Sequence, residues 1–183
     1  MVNRVGPRLD YGDGAYLEPL RPENVTDLYV EGLNDPDVFK FLGNTRHSRQ
    51  TRESVMEYVR ANMEAPDAIL FGNYIGDVLR GTVRLHDVDI DAGTATVGTV
   101  LFDKSVWGQG WGSRALQQNC TFCFEVIGLQ KLFAGIYACN EGSRSSFRRA
   151  GFLHDATLDR RDDFDVIETW IASAVPVARR EGK

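Results

Sequence analysis

The chain has 183 residues, of which 43% are hydrophobic, and a formal net charge of −5. This is enough apolar material for the core of one domain, and the acidic balance argues against a general nucleic-acid binder, which is usually basic. Because the sequence has no apolar run of about 18 residues, no secretory segment in residues 1–13 and too few cysteines for a disulfide framework, we expect a cytoplasmic protein with no membrane association.

The first half of the sequence predicts edge strands and helices. Residues 1–13 are polar and Gly-rich, and we expect them to be loose or to form a short edge strand. Ala15–Leu20 alternates apolar and polar residues and contains a proline, which is typical of an edge strand. One helix is predicted to begin at Pro22, and another follows Thr51 as its N-cap. The polar loop Gly43–Gln50 lies between these helices.

From Ala68 onward the hydrophobic pattern changes to a period of two, which indicates strands. The predicted elements, in chain order, are strands at Ala68–Ile75, Val78–Val88 and Ala92–Phe102, a helix at Ser113–Ile127, a strand at Leu132–Cys139, a helix at Gly142–Ala150 and a hairpin of Leu153–Leu158 with Val166–Ala174. They predict a single α+β domain over residues 1–183 with a mixed, mostly antiparallel sheet. Residues 1–13 and 176–183 are expected to be loose termini.

The segment Trp107–Gly112 (WGQGWG) connects a predicted strand to a predicted helix. Strand, Gly-rich loop and helix start together offer unpaired backbone N–H groups to a phosphate, and glycines let the backbone approach it. A purely structural turn would use the same glycines. No Lys-Ser/Thr pair follows the last glycine and the G-x-G-x-x-G spacing is absent, so the NTPase loop and the dinucleotide fingerprint are both excluded. We predict a pyrophosphate site here.

Two segments resemble motifs of the GNAT superfamily of acetyl-CoA-dependent N-acetyltransferases. Trp107–Gly112 is similar to motif A, Q/R-x-x-G-x-G/A, with Trp at the first position. That departure is typical of the branch that includes the ribosomal-protein N-terminal acetyltransferases of the RimJ/RimL type. Asn140–Phe152 (NEGSRSSFRRAGF) resembles the N-x-x-S…G-F segment of the same branch. The resemblance covers residues 16–171.

The resemblance implies a central sheet of six to seven strands, flanked by helices and splayed where acetyl-CoA binds. Acetyl-CoA would lie in the gap as an extra pseudo-strand, the acceptor amine would enter from the opposite side, and no metal is needed. The residues implied to contact the cofactor lie on the motif A strand, its loop and the later helix: Val100, Leu101, Phe102, Trp107, Gly108, Gln109, Gly110, Trp111, Gly112, Ser113, Asn140, Ser143 and Phe147.

The sequence departs from the family pattern at the acid and the base. Many members carry a Glu on the motif A strand, where this chain has Thr96, and a Tyr four residues before the G-F glycine, where it has Phe147. A threonine hydroxyl does not accept a proton at neutral pH and a phenyl ring has none to give. Activity is not excluded, because a thiolate is a tolerable leaving group and water can deprotonate an amine.

Three residues are candidates for the missing catalytic groups. His86, on the strand beside motif A, titrates in the right range, although a surface histidine beside Asp87 would look the same. Tyr137 would face the splayed gap or be a core tyrosine with a satisfied hydroxyl. Ser143 shares a helix face with Phe147 and would meet the sulfur, or it serves only the helix cap after Asn140.

The sequence therefore predicts transfer of the acetyl group from acetyl-CoA to a primary amine. The expected acceptor is a protein N-terminus or an amino sugar, free or nucleotide-linked, with small amines and antibiotics also left open, and the acidic balance would suit a cationic amine. The loops Gly43–Gln50 and Asp159–Asp165 are expected to shape the acceptor pocket. The alternative is a non-catalytic acyl-CoA-binding sensor or interaction module. A preference for another acyl-CoA and pairing into a homodimer through strand edges are both left open.

Overall fold

The computed structural model describes residues 6–43 and 48–174. The predicted loose C-terminal residues 176–183, residues 44–47 of the acceptor loop Gly43–Gln50 and the first five residues lie outside this part. The α-helices are α1 (Asp27–Leu33), α2 (Pro36–Phe39), α3 (Arg52–Glu64), α4 (Trp111–Thr121) and α5 (Glu141–Arg149). The strands are β1 (Leu9–Gly12), β2 (Ala15–Pro19), β3 (Ile69–Ile75), β4 (Val78–Asp89), β5 (Thr94–Leu101), β6 (Lys131–Tyr137), β7 (Leu153–His154), β8 (Arg160–Arg161) and β9 (Val166–Ser173).

The strands form one sheet in the order β1-β2-β3-β4-β5-β6-β9-β7, with β8 paired to β9. In the described residues only β5 and β6 pair in parallel, which confirms the predicted mixed, mostly antiparallel α+β fold. Within the described residues the sheet has nine strands, where the resemblance implied six to seven. β1 pairs with β2 as an edge strand. The strand predicted at Leu153–Leu158 ends at His154, because Ala156–Leu158 forms a 3₁₀ turn, and β8 lies in the predicted loop Asp159–Asp165.

The sheet opens between β5 and β6, as the resemblance implied. These strands pair only from Thr94 opposite Lys131 to Thr96 opposite Phe133. Beyond that point β5 stays paired with β4 as far as Leu101, while β6 stays paired with β9. The far half of β5 therefore has an edge without a strand beside it, although it belongs to the middle of the sheet.

Two apolar cores lie on opposite faces of the sheet. The larger core packs β4, β5 and β6 against α4 and α5, through side chains such as Val83, Leu85 and Leu116. The smaller core packs the other face against α1, α2 and α3 and includes Tyr29 and Phe102, whose rings stack at a centroid distance of 4.5 Å. Since side chains alternate along a strand, Val83 and Leu85 of β4 face the larger core, and the residues between and beside them, Thr82, Arg84 and His86, face the opposite side of the sheet.

Helix boundaries differ from the predicted ones for local reasons. Pro22 begins only a 3₁₀ turn, and α1 starts at Asp27 because Thr26 accepts a hydrogen bond from the Tyr29 amide at 3.2 Å. The helix predicted from Ser113 begins two residues earlier and continues past Thr121 as a π-helical segment. No helix in the described part of the chain is long and apolar enough to cross a membrane.

Candidate functional site

A cavity of about 1130 Å³ occupies the gap between β5 and β6. Its walls come from α1 to α3, β4, β5, the loop before α4, the end of β6 and the first turns of α5. Thirteen of the residues predicted for the cofactor or for catalysis line it together: His86, Val100, Leu101, Trp107, Gly108, Gly110, Trp111, Gly112, Ser113, Tyr137, Asn140, Ser143 and Phe147. Gly43, Gln50 and Arg160 of the two predicted acceptor loops also line it.

Two predicted cofactor residues do not line the cavity. Phe102 is buried in the smaller core, its amide donates to the Arg80 carbonyl at 3.2 Å, and its own carbonyl lies against Gly32. Both of its backbone groups are therefore turned to neighbours within the protein. The Gln109 side chain donates to the Ser105 carbonyl at 2.8 Å, which holds it within its own loop.

The Gly-rich loop has the backbone geometry of an anion cradle. Gly108 and Gly110 have φ of 74° and 86°, in the left-handed region that favours glycine. The Arg114 amide donates to the Gly110 carbonyl at 3.1 Å and begins the hydrogen-bond ladder of α4, so the amides of the first helical turn point toward the cavity end of the helix without a partner in the preceding turn. A Cβ at Gly108 would meet nothing within 4 Å, which leaves room for a phosphate.

Trp107 of the loop and Ser113 in the first turn of α4 hold the Gly-rich loop to the sheet and to the helix. The Trp107 indole donates to the Leu101 carbonyl at 2.8 Å, and the Ser113 hydroxyl donates to the Gly110 carbonyl at 2.8 Å. The first bond gives a physical reason for Trp at the first motif position, because only a side chain with a donor and this reach can tie the loop to the end of β5. Ser113 therefore bonds back to the loop from the first turn of α4, and the N-cap of that helix is Gly110.

The start of α5 forms the opposite wall. The Asn140 side chain accepts from the Ser143 amide at 3.1 Å and caps the helix, so its side-chain NH₂ group is the part left for a ligand. Ser143 lies in the first helical turn, one turn before Phe147. Phe147 is almost fully buried and meets Phe152 edge to face at 4.9 Å, so it serves the core as well as the cavity.

His86 occupies the predicted place beside the motif A strand. It is half-buried, and its Nδ1 lies 2.8 Å from an Asp87 carboxylate oxygen. Asp87 has φ of 51°, where the β4–β5 register shifts. Burial first and then the Arg84 charge lower the pKa of His86, against the opposing effects of Asp87 and Asp67. The ring is therefore mainly neutral at pH 7, and when Nδ1–H donates to Asp87, Nε2 is free to accept a proton.

Tyr137 ends β6 and lines the cavity, but its hydroxyl donates to an Asp162 carboxylate oxygen at 2.6 Å. Its ring also meets Phe164 edge to face at 5.0 Å. The predicted alternative of a buried tyrosine with a satisfied hydroxyl is confirmed. A role in proton transfer would require that hydroxyl to leave the carboxylate.

Sequence reasoning missed the polar wall formed by β4 and α3. Thr82, Arg84 and His86 alternate along β4 and line the cavity together. Asn62 of α3 accepts from Arg84 Nε at 2.6 Å. The alternation of Thr82, Arg84 and His86 was readable as one strand face, but the sequence carries no signal that α3 would cover it.

Cys120 of α4 and Cys123, two residues beyond the end of α4, do not line the cavity. Both are buried in the larger core. Burial raises the pKa of the Cys120 thiol to about 12, so it is inert at neutral pH. Within residues 6–43 and 48–174, no group of three or more His, Cys, Asp or Glu side chains is arranged to hold a metal ion.

Comparisons with known proteins agree with this geometry. The profile of the family described as acetyltransferase (GNAT) domain matches residues 15–153. The fold is similar to that of RimL, a ribosomal-protein alpha-N-acetyltransferase in complex with coenzyme A, with a TM-score of 0.78 and 15% identity over 91% of this chain and 98% of that one. No curated protein matches the sequence at a significant level.

Two further solved structures share the fold. Spermidine N-acetyltransferase from Vibrio cholerae, in complex with CoA and spermine, has a TM-score of 0.75 and 12% identity over 88% of this chain and 96% of that one. AAC(6′)-Ib, in complex with parmomycin and acetyl-CoA, has a TM-score of 0.71 and 16% identity over 93% of this chain and 99% of that one. At such low identities these likenesses show the fold, and the acceptors of the three proteins differ.

Proposed function

This chain belongs to the GNAT acetyltransferase family, and from that premise we propose that it is an acetyl-CoA-dependent N-acetyltransferase acting on a primary amine. The observation that carries the proposal is the juxtaposition, in one cavity, of the Gly-rich loop, the unpaired edge of β5 and the imidazole of His86. Acetyl-CoA, when bound, supplies the thioester whose carbonyl carbon the amine attacks, with release of the free thiol.

The Gly-rich loop would hold the pyrophosphate of acetyl-CoA, and the start of α5 would hold its pantetheine arm. The amides at the start of α4 and the left-handed turns at Gly108 and Gly110 would bind the pyrophosphate. The Asn140 side-chain NH₂ would donate to an amide carbonyl of the pantetheine arm. Backbone groups of Val100 and Leu101 border the gap, although the Leu101 carbonyl is already engaged by Trp107. We therefore assign polarisation of the thioester carbonyl to backbone N–H groups of β5.

His86 would take the proton of the acceptor amine. An amine that is protonated in water has no lone pair for attack, so a base in the acceptor cavity must remove one proton before or during attack. His86 Nε2 is available for this when Nδ1–H donates to Asp87, and the lowered pKa keeps it unprotonated at pH 7. Most of the rate acceleration would come from holding the amine nitrogen close to the thioester carbonyl carbon in the orientation needed for attack.

The experiment that tests this proposal is thiol release from acetyl-CoA over a panel of amines. The panel holds N-terminal peptides, amino sugars, nucleotide-linked amino sugars and polyamines, and the acetylated product is identified by mass. Amine-dependent release is expected for at least one class, which then names the acceptor. Tight acetyl-CoA binding without release by any amine would instead support the acyl-CoA-binding sensor, and absence of binding would contradict both functions.

A further inference from the structure

Arg84 lies on the acceptor side of the cavity. It stands two residues before His86 on the same face of β4, half-buried against α3. α4, which follows the Gly-rich loop, packs on the opposite face of the sheet, where Val83 and Leu85 point. The Arg84 side chain therefore lies on the other side of the sheet from the helix whose N-terminus is proposed to bind the pyrophosphate.

The Arg84 side chain is held in place by a buried amide. Its Nε donates to Asn62 Oδ1 at 2.6 Å, and Asn62 is only 4% exposed. The Asn62 side-chain NH₂ in turn donates to the Tyr58 carbonyl at 2.8 Å, one turn earlier in α3, and the Tyr58 ring lies 5.9 Å from the guanidinium carbon. This arrangement fixes one edge of the guanidinium and leaves its two terminal nitrogens, with four N–H groups, for another partner.

Within the described part of the chain, Arg84 also lacks the counter-ion that comparable arginines have. Arg80, Arg114 and Arg144 have side chains 27%, 33% and 28% exposed, and each forms an ion pair with a carboxylate of the fold. Among residues 6–43 and 48–174, no carboxylate lies within ion-pair distance of Arg84. A half-buried cation is costly unless it is paired, so the missing partner of Arg84 is expected to come from a ligand.

We propose that Arg84 is the anion-binding residue of the acceptor site, and that the acceptor is a primary amine which also carries a carboxylate or a phosphate. The planar fork of an arginine binds either group through two parallel hydrogen bonds. The inference rests on the proposed function for the amine, but the anion site itself does not require turnover. It disfavours polyamines, which bring only positive charge to the guanidinium. It also departs from the cationic acceptor suggested by the net charge of −5.

Two matched pairs of acceptors test the proposal and distinguish the source of the anion. The peptide pair is Ala-Glu-Ala amide and Ala-Gln-Ala amide, and the sugar pair is glucosamine 6-phosphate and glucosamine. Binding of each compound to the full chain saturated with CoA is measured by calorimetry, so that the pyrophosphate loop is already filled. In at least one pair the anionic member is expected to bind about tenfold more tightly, as for a charge-assisted hydrogen-bonded pair.

Three variants assign the preference to Arg84. Arg84→Gln should abolish the difference within the pair, whereas Arg84→Lys should keep part of it because the charge remains. Asn62→Asp should also abolish it, because it gives the guanidinium an internal carboxylate at the same place. The control is Arg60→Gln, which removes an arginine of α3 that pairs with Glu57 and does not line the cavity; it should leave the difference unchanged.

The outcomes separate this inference from the proposed function. Equal binding of both members in both pairs, or a preference that survives Arg84→Gln, would overturn the anion site. A preference that depends on Arg84, with no thiol release from acetyl-CoA by either member, would leave the anion site standing and count against the transferase. Preference and release by the same anionic amine would support both.

Discussion

His86 and Thr96 form a directly opposed pair in the β4–β5 ladder. Side chains of such a pair lie on the same face of the sheet, with Cβ atoms about 5 Å apart. Thr96 holds the position at which many members of the family carry a glutamate. The imidazole of His86 therefore reaches the place of the missing carboxylate from the neighbouring strand, and Asp87 at the following bulge orients it.

The first prediction concerns the pH dependence of turnover. If neutral His86 accepts the amine proton, kcat is constant above the pKa of His86 and falls as pH drops through it, because the imidazolium cannot accept a proton. Since burial and Arg84 lower that pKa below 6.5, the fall is expected below pH 6.5. His86→Ala should reduce kcat about 100-fold, measured by thiol release at saturating substrates.

The charges that face His86 allow a control on this pH profile. Arg84→Gln removes a positive charge that disfavours the imidazolium, so the fall in kcat should move to higher pH. Asp87→Asn removes a negative charge that favours it, so the fall should move to lower pH. Asp67 is the remaining group with a raising effect. A profile that does not move in either variant would contradict His86 as the base.

The second prediction is a rescue across the β4–β5 ladder. In His86→Ala, the additional change Thr96→Glu places a carboxylate on the same face, at the position used by other members of the family. We expect the double variant to regain at least about tenfold in kcat over His86→Ala. Its acid limb should lie nearer to the ordinary pKa of a glutamate, about 4.3, because a carboxylate replaces the imidazole. Thr96→Gln in the same background is the control without a base.

Much of the fold could be predicted because its causes are local. The structure contains three features that are properties of short segments: the strand periods of β3 to β6, the N-cap of α3 at Thr51, and the left-handed Gly128 after the π-helical segment. The strand predicted at Leu153–Leu158 is only the two-residue β7, and β8 was not predicted, because both exist only through pairing with β9. The start of α4 was misplaced by two residues, because Gly110 supplies the cap through its backbone alone.

The candidate site also has a part that the sequence predicts and a part that it does not. The Gly-rich loop is contiguous in the sequence, so its motif identifies nearly all of its cavity-lining residues. The acceptor wall depends on contacts between distant segments: the bond from Arg84 to Asn62 spans 22 residues, and that from Tyr137 to Asp162 spans 25. Neither residue type nor spacing predicts such a pair. The sequence therefore did not indicate Arg84 as a residue of the site, and it left two interpretations of Tyr137.

The third prediction compares two glycines of the loop. Gly110 has φ of 86°, so Gly110→Ala forces a left-handed alanine and should lower the free energy of unfolding by about 1 kcal/mol. Gly112 is helical, and its added Cβ would lie 3.4 Å from Leu101 and 3.5 Å from Ser146, which is ordinary contact. Gly112→Ala should therefore fold at least as stably as the parent. Urea denaturation measures the difference, and equal loss in both variants would contradict it.

The same loop can be tested for binding. Gly110→Glu should abolish acetyl-CoA binding, because it places a carboxylate where a pyrophosphate is expected and like charges repel. Gly110→Gln is the uncharged control with a similar strain and volume, and it should retain more affinity. The dissociation constant for acetyl-CoA, measured by calorimetry, is the readout. Unchanged affinity in Gly110→Glu would remove the phosphate from this loop.

The fourth prediction concerns the indole of Trp107. Trp107→Phe keeps an aromatic ring but leaves the Leu101 carbonyl without the donor that lies at 2.8 Å. We expect a loss of about 1 kcal/mol in stability and about fivefold weaker acetyl-CoA binding, because the loop is no longer tied to β5. Trp111→Phe is the matched control, since the hydrogen bond of that indole goes to Gln109 within the loop and not to β5. Equal effects of the two changes would argue against a special role for Trp107.

The last prediction separates Ser143 from Tyr137 as the group that meets the leaving sulfur. The Tyr137 hydroxyl already donates to Asp162 at 2.6 Å, so Tyr137→Phe should lower the free energy of unfolding by about 1 kcal/mol with little change in kcat. Ser143 faces the cavity one turn before Phe147, and Ser143→Ala should lower kcat about tenfold with little change in stability. Both are measured by thiol release and thermal denaturation. The reverse pattern would mean that Tyr137 leaves Asp162 during turnover and gives its proton to the thiolate.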